Sequence, residues 1–517
     1  MTILDLGDKN ESKALGGEKA RLLFLIILAA AVRIFFLLRF ENMPGYAPGN
    51  VERALFILED PRLFLNFDGG TSTLYKYALA SVLYFWRDPL LAPRVFTAFF
   101  GTLLILPYYG TLKVLFGRAV AFFSSLILVF YPLHVVQSSI TTSDAVYYFF
   151  LFGCLYYFFS YQKGQKRFWT LGVAALFFNI ASLLRFESWL FIPVFFLLLW
   201  PKGKRTAFLF LLLILVFPCA HLALSRCHHG EFLYSFSAAG GGACASIAIG
   251  RFLYDPRPWS WLAVLWQSTG PSLVAGGLLG IVLAFLARQK RQLSIFFLVL
   301  WLMLTANTLA AKMCAHTRYS IILGLFLIPY ACFFAARSLF FLKGRKKALL
   351  LLLLVFPVVN FWQVTQNIHR VAGDLVASIP EEVKAVAQWI KRNVLSHETI
   401  VIGNDRSDTW QNSIVLQSGI ASSRCECVYT PLLKNAGFQN REAFERYLLE
   451  HRTRYLVLNT EGHLQKVLNF DVDRKEQQWD NVLFEAVFGQ DVPGYGKYVI
   501  YRISYRDAST PPNDGMG

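Results

Sequence analysis

Charge is scarce in this sequence. Asp, Glu, Lys and Arg make up 16% of its 517 residues, where a soluble globular chain carries about a quarter. The long apolar runs that replace them, rich in Leu and in the 48 Phe residues, lack the polar stripe of a helix that packs on a soluble core. Acid is scarcer than base, 33 residues against 50, but most Lys and Arg sit in short turns between apolar runs. No basic face on a water-soluble fold is indicated, so nucleic acid is excluded as a partner. Cysteine is also sparse, at eight. Cys154, Cys219, Cys314 and Cys332 lie in or beside apolar runs and read as small core residues. Cys227 and Cys244 share one loop, which permits a disulfide without indicating one. Cys425-Glu426-Cys427 has the wrong spacing for a zinc ribbon or a redox CxxC. His228-His229 has no carboxylate at helical spacing and reads as plain loop. No metal and no cofactor are indicated; a divalent metal stays possible. No fixed-period repeat is present, so an inverted-repeat transporter gains no support. The start, MTILDLGDKNESKALGGEKAR, is polar and unlike a cleavable signal, so the first apolar run is expected to stay as a helix.

What is present is a series of apolar stretches of about 20 residues, the length that crosses roughly 30 Å of hydrocarbon. About eleven can be read. The first runs from Arg21 to Arg39; others centre near Leu104, Leu128, Phe150, Leu176, Val194, Leu213, Gly277, Leu300, Leu325 and Leu353. With the N-terminus in the cytoplasm, every second turn is basic: Lys113 and Arg118; Lys163, Lys166 and Arg167; Lys202, Lys204 and Arg205; Arg288, Lys290 and Arg291; Lys343, Arg345, Lys346 and Lys347. The intervening HVVQSSITTSD has neither Lys nor Arg. By the positive-inside rule the two long loops, up to Leu91 and from Ser225 to Trp261, and the C-terminal region lie outside. A bacterial-type plasma membrane is the expected location. In the first long loop, VERALFILED and TLYKYALASVLYFW carry apolar residues at helical spacing and read as helices at the membrane interface.

From about Thr365 the composition changes. PEEVKAVAQWIKRNV is an amphipathic helix with Val383, Val386, Ile390 and Val394 on one side. ETIVIGN, RYLVLNT and KYVIYRIS read as strands, and NREAFERYLLEH as a helix between them. The expected fold class is an α-helical polytopic membrane protein plus a small α/β domain. The expected divisions are a membrane domain at 1–364, an extracytoplasmic α/β domain at 365–505 and a disordered tail at 506–517.

Ionisable groups at membrane depth are costly and mark functional sites. Arg33, Glu52, Asp68, Asp144, Arg185, Glu187, His316 and Arg318 meet that description, and all but Arg33 fall in external loops or at external helix ends. Arg33 lies about two turns inside its span, from where it can snorkel or pair. Plainer readings stand beside these. Asp144 follows TTS at a helix start, where the macrodipole favours a negative charge. Arg185 and Glu187 can be a structural pair or headgroup anchors. His134 reads as a satisfied interface histidine ahead of a catalytic base.

The order of several fragments resembles the GT-C membrane glycosyltransferases, specifically the family-39 group, which includes protein O-mannosyltransferases and lipid A aminoarabinose transferases. The resemblance rests on Arg94 entering the second span, the Phe116-Gly117-Arg118 turn, Pro132-Leu133-His134 with Ser138, and Ser143-Asp144 opening the fourth span. TLYKYALA, LLRFESWLFIPV and HTRYSIILGLFLIP add weaker likenesses. The resemblance implies a GT-C-like fold and sugar transfer from a polyprenyl-phosphate-linked donor to a glycan, lipid or protein acceptor outside the cytoplasm. Such chemistry needs a carboxylate to take the acceptor's proton, cations to hold the lipid phosphate and a lipid-facing groove. By resemblance, Glu52, Asp68 and Asp144 are the catalytic candidates. Arg94, Arg185 and Arg318 are candidates for the donor phosphate, with Glu187, His316 and His134 as further cavity residues. One departure is clear. The family's Asp-Glu pair in the first external loop falls on Gly49 and Asn50, and Glu52 stands a short step further on. The alternatives are a lipid-linked sugar transporter or flippase and an inactive relative acting as a subunit.

Overall fold

The fold is seen in a computed structural model that describes residues 11–39, 46–59, 73–164, 168–234, 259–286, 291–309, 317–341, 379–403, 411–420, 425–427, 440–492 and 496–505. The chain forms two compact units. One comprises Met1–Glu41, Phe64–Val82 and Leu91–Val376; the other comprises Asn42–Leu63, Leu83–Leu90 and Ala377–Gly517.

The first unit is helical. The apolar runs appear as α1 (Glu11–Arg39), α4 (Ala92–Leu103), α5 (Ile105–Phe116), α6 (Arg118–Val129), α7 (Pro132–Ser139), α8 (Asp144–Gln162), α9 (Phe168–Leu184), α10 (Ile192–Leu199), α11 (Lys204–His229), α12 (Ser260–Thr269), α13 (Pro271–Leu286), α14 (Gln292–Leu309) and α15 (Thr317–Phe341). The two helices expected in the first long loop are present as α2 (Tyr46–Glu59), which belongs to the second unit, and α3 (Thr73–Phe85). Among the described residues, five helices are long and apolar enough to cross a membrane: Gly17–Arg39, Ala92–Phe116, Lys204–Cys227, Gln292–Leu309 and Arg318–Ser338; two bent pairs would raise this to seven. The reading of eleven spans is therefore not established. At the span centred on Val194, the eight-residue α10 continues without a gap into 3-10 segments at Phe186–Phe191 and Trp200–Lys202. The span centred on Leu353 lies outside the described residues, as does Cys244.

Gly117 explains the tight turn between α5 and α6. Its φ of 93° is open to glycine at little cost. Lys113 and Arg118, on either side of that turn, both form ion pairs with Glu18 of α1. The pairs are partly exposed, so they orient the turn more than they stabilise it.

Two features depart from continuous spans. α6 and α7 meet at a 58° bend, and α12 and α13 at 118°. The first break has its cause in Pro132, which has no N–H to donate and which pushes Tyr131 into the extended region at ψ 107°. The second is at Gly270, with φ 97°, followed by Pro271. Beyond the first break, the whole stretch from Tyr131 to Tyr148 is buried, although it includes His134, Gln137, Ser138, Ser139, Thr141, Thr142, Ser143 and Asp144. A lipid-facing helix would not hide such a run, so the segment is packed among other helices.

The second unit contains a six-stranded sheet in the order β2-β1-β3-β6-β5-β4. The strands are β1 (Ile400–Ile402), β2 (Cys425–Cys427), β3 (Tyr455–Asn459), β4 (Glu476–Gln478), β5 (Val482–Val492) and β6 (Gly496–Tyr505). β2, β1 and β3 are parallel; β6, β5 and β4 continue antiparallel. The alternation of side chains along a strand divides the core into two layers. Ile400, Ile402, Tyr455, Val457, Tyr498 and Ile500 face Val383, Val386, Ala387 and Ile390 of α16 (Glu381–Asn393). Val401, Leu456, Leu458, Val499 and Tyr501 face Phe444 and Leu448 of α18 (Arg441–His451). Asn440 starts that helix by accepting a hydrogen bond from the Ala443 N–H at 2.8 Å. The expected helices and three strands are present. Cys425-Glu426-Cys427, the segment with a failed metal spacing, is an edge strand. α17 (Gln411–Ser418) packs against α2 within this unit.

Candidate active site

The first unit gathers four of the candidate side chains into one ionic cluster. Asp144 opens α8 and is fully buried. Its Oδ1 accepts from Arg185 Nη1, and its Oδ2 accepts from Arg318 Nε at 2.8 Å. Arg185 stands where α9 gives way to a 3-10 turn, with an extended backbone at φ −154°. That break lets its guanidinium reach both Asp144 and Glu187. Arg185 Nε donates to Glu187 Oε1 and Oε2 at 3.1 and 3.2 Å, and Nη2 also donates to Oε1. The Ser188 hydroxyl fixes the turn by donating to the Arg185 carbonyl at 2.8 Å. Two guanidiniums and two carboxylates thus balance in charge. Their close, multiple hydrogen bonds offset the several kcal/mol, about, that each buried ion loses on desolvation.

Aromatic rings surround the cluster. The Arg185 guanidinium lies 5.1 Å from the ring centre of Tyr319 and 5.8 Å from that of Tyr147, within cation–π range. Tyr147, Tyr148, Arg185, Glu187, Leu300, Leu304, Tyr319 and Ile322 line a small cavity beside it, of about 10 Å³, the size of a single water site. Arg318 is the more open of the two arginines, at 18% exposure against 8% for Arg185, and Asp144 is fully enclosed.

The remaining candidates stand elsewhere. Arg94 is buried, donating from Nε to the Ser139 carbonyl at 3.0 Å and from Nη2 to the Leu37 carbonyl at 3.2 Å. It thereby ties the ends of α1 and α7 together. His134 is fully buried, and its Nδ1 accepts from Arg33 Nη2 at 2.9 Å, since a guanidinium has only donors. Arg33, 1% exposed, also donates to the Ala29 carbonyl at 3.0 Å. It pairs rather than snorkels. Glu52 is half-buried on α2, in the second unit. Asp68 and His316 lie outside the described residues, as do the side chains of His228 and His229. Among the described residues no group of three or more His, Cys, Asp or Glu could hold a metal ion.

One sequence reading needs revision. Asp144 is not merely a charge on a helix N-terminus, because two guanidiniums hold both its oxygens. The tyrosines were missed as site residues. Their signal is adjacency: Tyr147 and Tyr148 are one helical turn beyond Asp144, and Tyr319 follows Arg318.

Residues 72–224 match the family described as dolichyl-phosphate-mannose-protein mannosyltransferase. No curated protein matches the sequence significantly. Among solved structures, the chain is similar to ArnT from Cupriavidus metallidurans bound to undecaprenyl phosphate, at 13% identity and a TM-score of 0.61 over 93% of this chain and 97% of that one. It is also similar to the Archaeoglobus fulgidus oligosaccharyltransferase in its apo form, at 11% identity and a TM-score of 0.56 over 85% and 69% of the two chains. The same archaeal enzyme, AglB, in complex with an inhibitory peptide and a dolichol-phosphate, gives 11% and 0.52 over 86% and 69%. The chain has the fold of the GT-C membrane glycosyltransferases. It is an integral, multi-pass membrane protein with a small sheet-containing unit.

Proposed function

We propose that this protein is a glycosyltransferase that moves a sugar from a polyprenyl-phosphate donor to an acceptor outside the cytoplasm. The single observation that carries the reading is the buried Arg185–Asp144–Arg318 cluster. It holds two guanidiniums in place through Asp144 and Glu187, and a guanidinium is the side-chain group best suited to bind a phosphate. The capture of undecaprenyl phosphate by ArnT and of a dolichol-phosphate by AglB supports that choice of donor. In the reaction, a carboxylate takes the acceptor's proton. The acceptor atom bonds to the sugar's anomeric carbon, and the bond from that carbon to the phosphate oxygen breaks. The lipid phosphate leaves as an anion stabilised by the arginines.

Roles follow from how each group is engaged. Asp144 has both oxygens committed to guanidiniums, so it organises Arg185 and Arg318 and is a poor proton acceptor. Glu52 is assigned as the base by its place in the first long loop, next to where the family's acid falls. Arg94 spends two of its donors on backbone carbonyls and ranks behind Arg185 and Arg318 for the phosphate. No metal is assigned. Replacing Arg318 by Ala removes a charged hydrogen-bond donor, worth about 1.5–3 kcal/mol, and is expected to weaken undecaprenyl-phosphate binding by roughly ten- to a hundredfold. Arg318→Lys keeps the charge without the planar fork and should lose less. Equal, unchanged affinities in both variants would assign Arg318 to structure alone.

The orientation belongs to the same proposal. Reporter fusions after Lys343 should read as cytoplasmic and those after Tyr429 as external. A cytoplasmic reading at Tyr429 would invert the face on which the reaction occurs. A second reading, a lipid-linked sugar flippase, draws on the two bent helix pairs, because discontinuous helices are a device of transporters. Purified protein in proteoliposomes separates them: an enzyme releases lipid phosphate in the presence of acceptor, whereas a flippase moves intact donor across the bilayer.

A further inference from the structure

The two helix breaks are not independent of each other. The Tyr131 hydroxyl, at the first break, lies 3.0 Å from the Thr269 hydroxyl, at the second. Both groups press on α15 at one point. A Cβ placed on Gly324 would stand 2.5 Å from Tyr131 Oη and 2.9 Å from Thr269 Oγ1, closer than real Cβ atoms approach. Only glycine lets the three segments meet. One turn earlier on α15, the Ser320 and Ser268 hydroxyls are 2.7 Å apart. At the next residue along α15 after Gly324, the Tyr108 hydroxyl donates to the Leu325 carbonyl at 3.0 Å. Tyr131, Ser268, Thr269 and Ser320 are all buried, so water does not compete for these bonds and each fixes its partner.

The junction touches the ionic cluster through both of its long-range partners. Arg318 is on α15, two residues before Ser320 and six before Gly324, within about 9 Å along the helix axis. Asp144 follows Tyr131 through α7 and a short buried connection, in which Thr142 Oγ1 donates to the Gln137 carbonyl at 3.0 Å and Arg94 holds the Ser139 carbonyl. Moving α15 against the first break therefore moves Arg318 against Asp144. We propose that Tyr131, Thr269 and Gly324 are positioning residues: their junction sets the register of α15 on the bent α6–α7 pair and so aims Arg318 for the lipid phosphate. The inference rests on the phosphate-binding role proposed for Arg318 and names the parts of the fold that produce it.

The test uses conservative variants of the full chain in nanodiscs, with undecaprenyl phosphate as the probe and hydrogen exchange as an independent readout. Gly324→Ala must push α15 away from Tyr131. A misplacement on the scale of 1 Å costs about 10²-fold in well-aimed sites, so a loss of roughly ten- to a hundredfold in affinity is expected. Tyr131→Phe removes the oxygen nearest that new methyl group. The double variant should therefore bind the probe better than Gly324→Ala alone, a rescue that a general loss of folding would not give. Tyr131→Phe and Thr269→Val, each removing one hydroxyl at constant shape, should speed exchange in 131–148 and 318–324 while the melting temperature stays close to that of the parent. Unchanged exchange in both, or Gly324→Ala with parental affinity, or a double variant no better than Gly324→Ala, would overturn the proposal. If Gly324→Ala fails to insert, the two hydroxyl variants decide by exchange and affinity. If the parent protein does not bind the probe, the donor reading fails, and the exchange data alone report whether the junction holds the two segments.

Discussion

Glu52→Gln is expected to lower sugar transfer by about 10²- to 10⁴-fold, the usual cost of removing a general base, with little change in donor affinity. Gln keeps the shape of Glu and removes its ability to take a proton. Glu52 is half-buried on an amphipathic helix. Arg53 follows it directly, but successive residues on a helix point in different directions, so sequence adjacency alone does not make that pair. The competing account makes Glu52 an ordinary solvated charge in the middle of α2, which starts at Tyr46. That account predicts a stability change within about 0.5 kcal/mol and almost normal turnover. The two accounts differ by orders of magnitude in rate, so a single time course separates them. Asp68→Asn and Asp144→Asn belong in the same experiment. Near-normal turnover in Glu52→Gln, with transfer abolished in Asp68→Asn, would move the base to Asp68.

The second large effect is on stability. Asp144→Ala would strand Arg185 and Arg318 beside each other with one carboxylate fewer. Breaking a buried ion pair from one side typically costs about 3–5 kcal/mol, a large part of the roughly 5–15 kcal/mol that holds a typical protein folded. A sharp fall in melting temperature and in folded yield is expected. If Asp144 served only the helix dipole, the cost would be about 0.3–1 kcal/mol and the melt would hardly move. The double variant Asp144→Ala with Arg185→Met tests the cause. Removing the partner also removes the uncompensated charge, so the double change should cost clearly less than the sum of the two single changes. Strict additivity would mean that Asp144 and Arg185 do not depend on each other.

The helices of the first unit were legible because burial in lipid demands long apolar runs, and nearly every run has a helix on it. The breaks within those runs were not. An apolar window about 20 residues long averages over Pro132 and Gly270, and neither position looks less apolar for being bent. In the sheet, Tyr455–Asn459 was legible as a compact apolar run, buried at all five positions. Val482–Val492 is longer but alternates between buried and exposed over part of its length and carries Glu485, Gln490 and Asp491, so its pattern is diluted. The site was half legible. Asp144, Arg185, Glu187 and Arg318 could each be named from the rule that charge at membrane depth is expensive. That they share one cluster could not, because Asp144 and Arg318 are 174 residues apart and only packing brings them together. The family resemblance added Arg94 and His134, which are held by a backbone strut and by Arg33 respectively. Sequence reveals that such a charge must be satisfied, and the fold decides by what.

The central claim is transfer from a lipid-phosphate donor, and release of the lipid phosphate is its most direct measure. Purified protein in nanodiscs would be incubated with undecaprenyl-phosphate sugars, each labelled in the lipid, with cell-envelope glycan, lipid or peptide as acceptor. The account predicts that at least one donor yields free undecaprenyl phosphate in step with labelled acceptor, and that Arg185→Ala and Arg318→Ala each lose most of that yield. Donor consumption with no acceptor product, or a yield indifferent to both arginines, would contradict it.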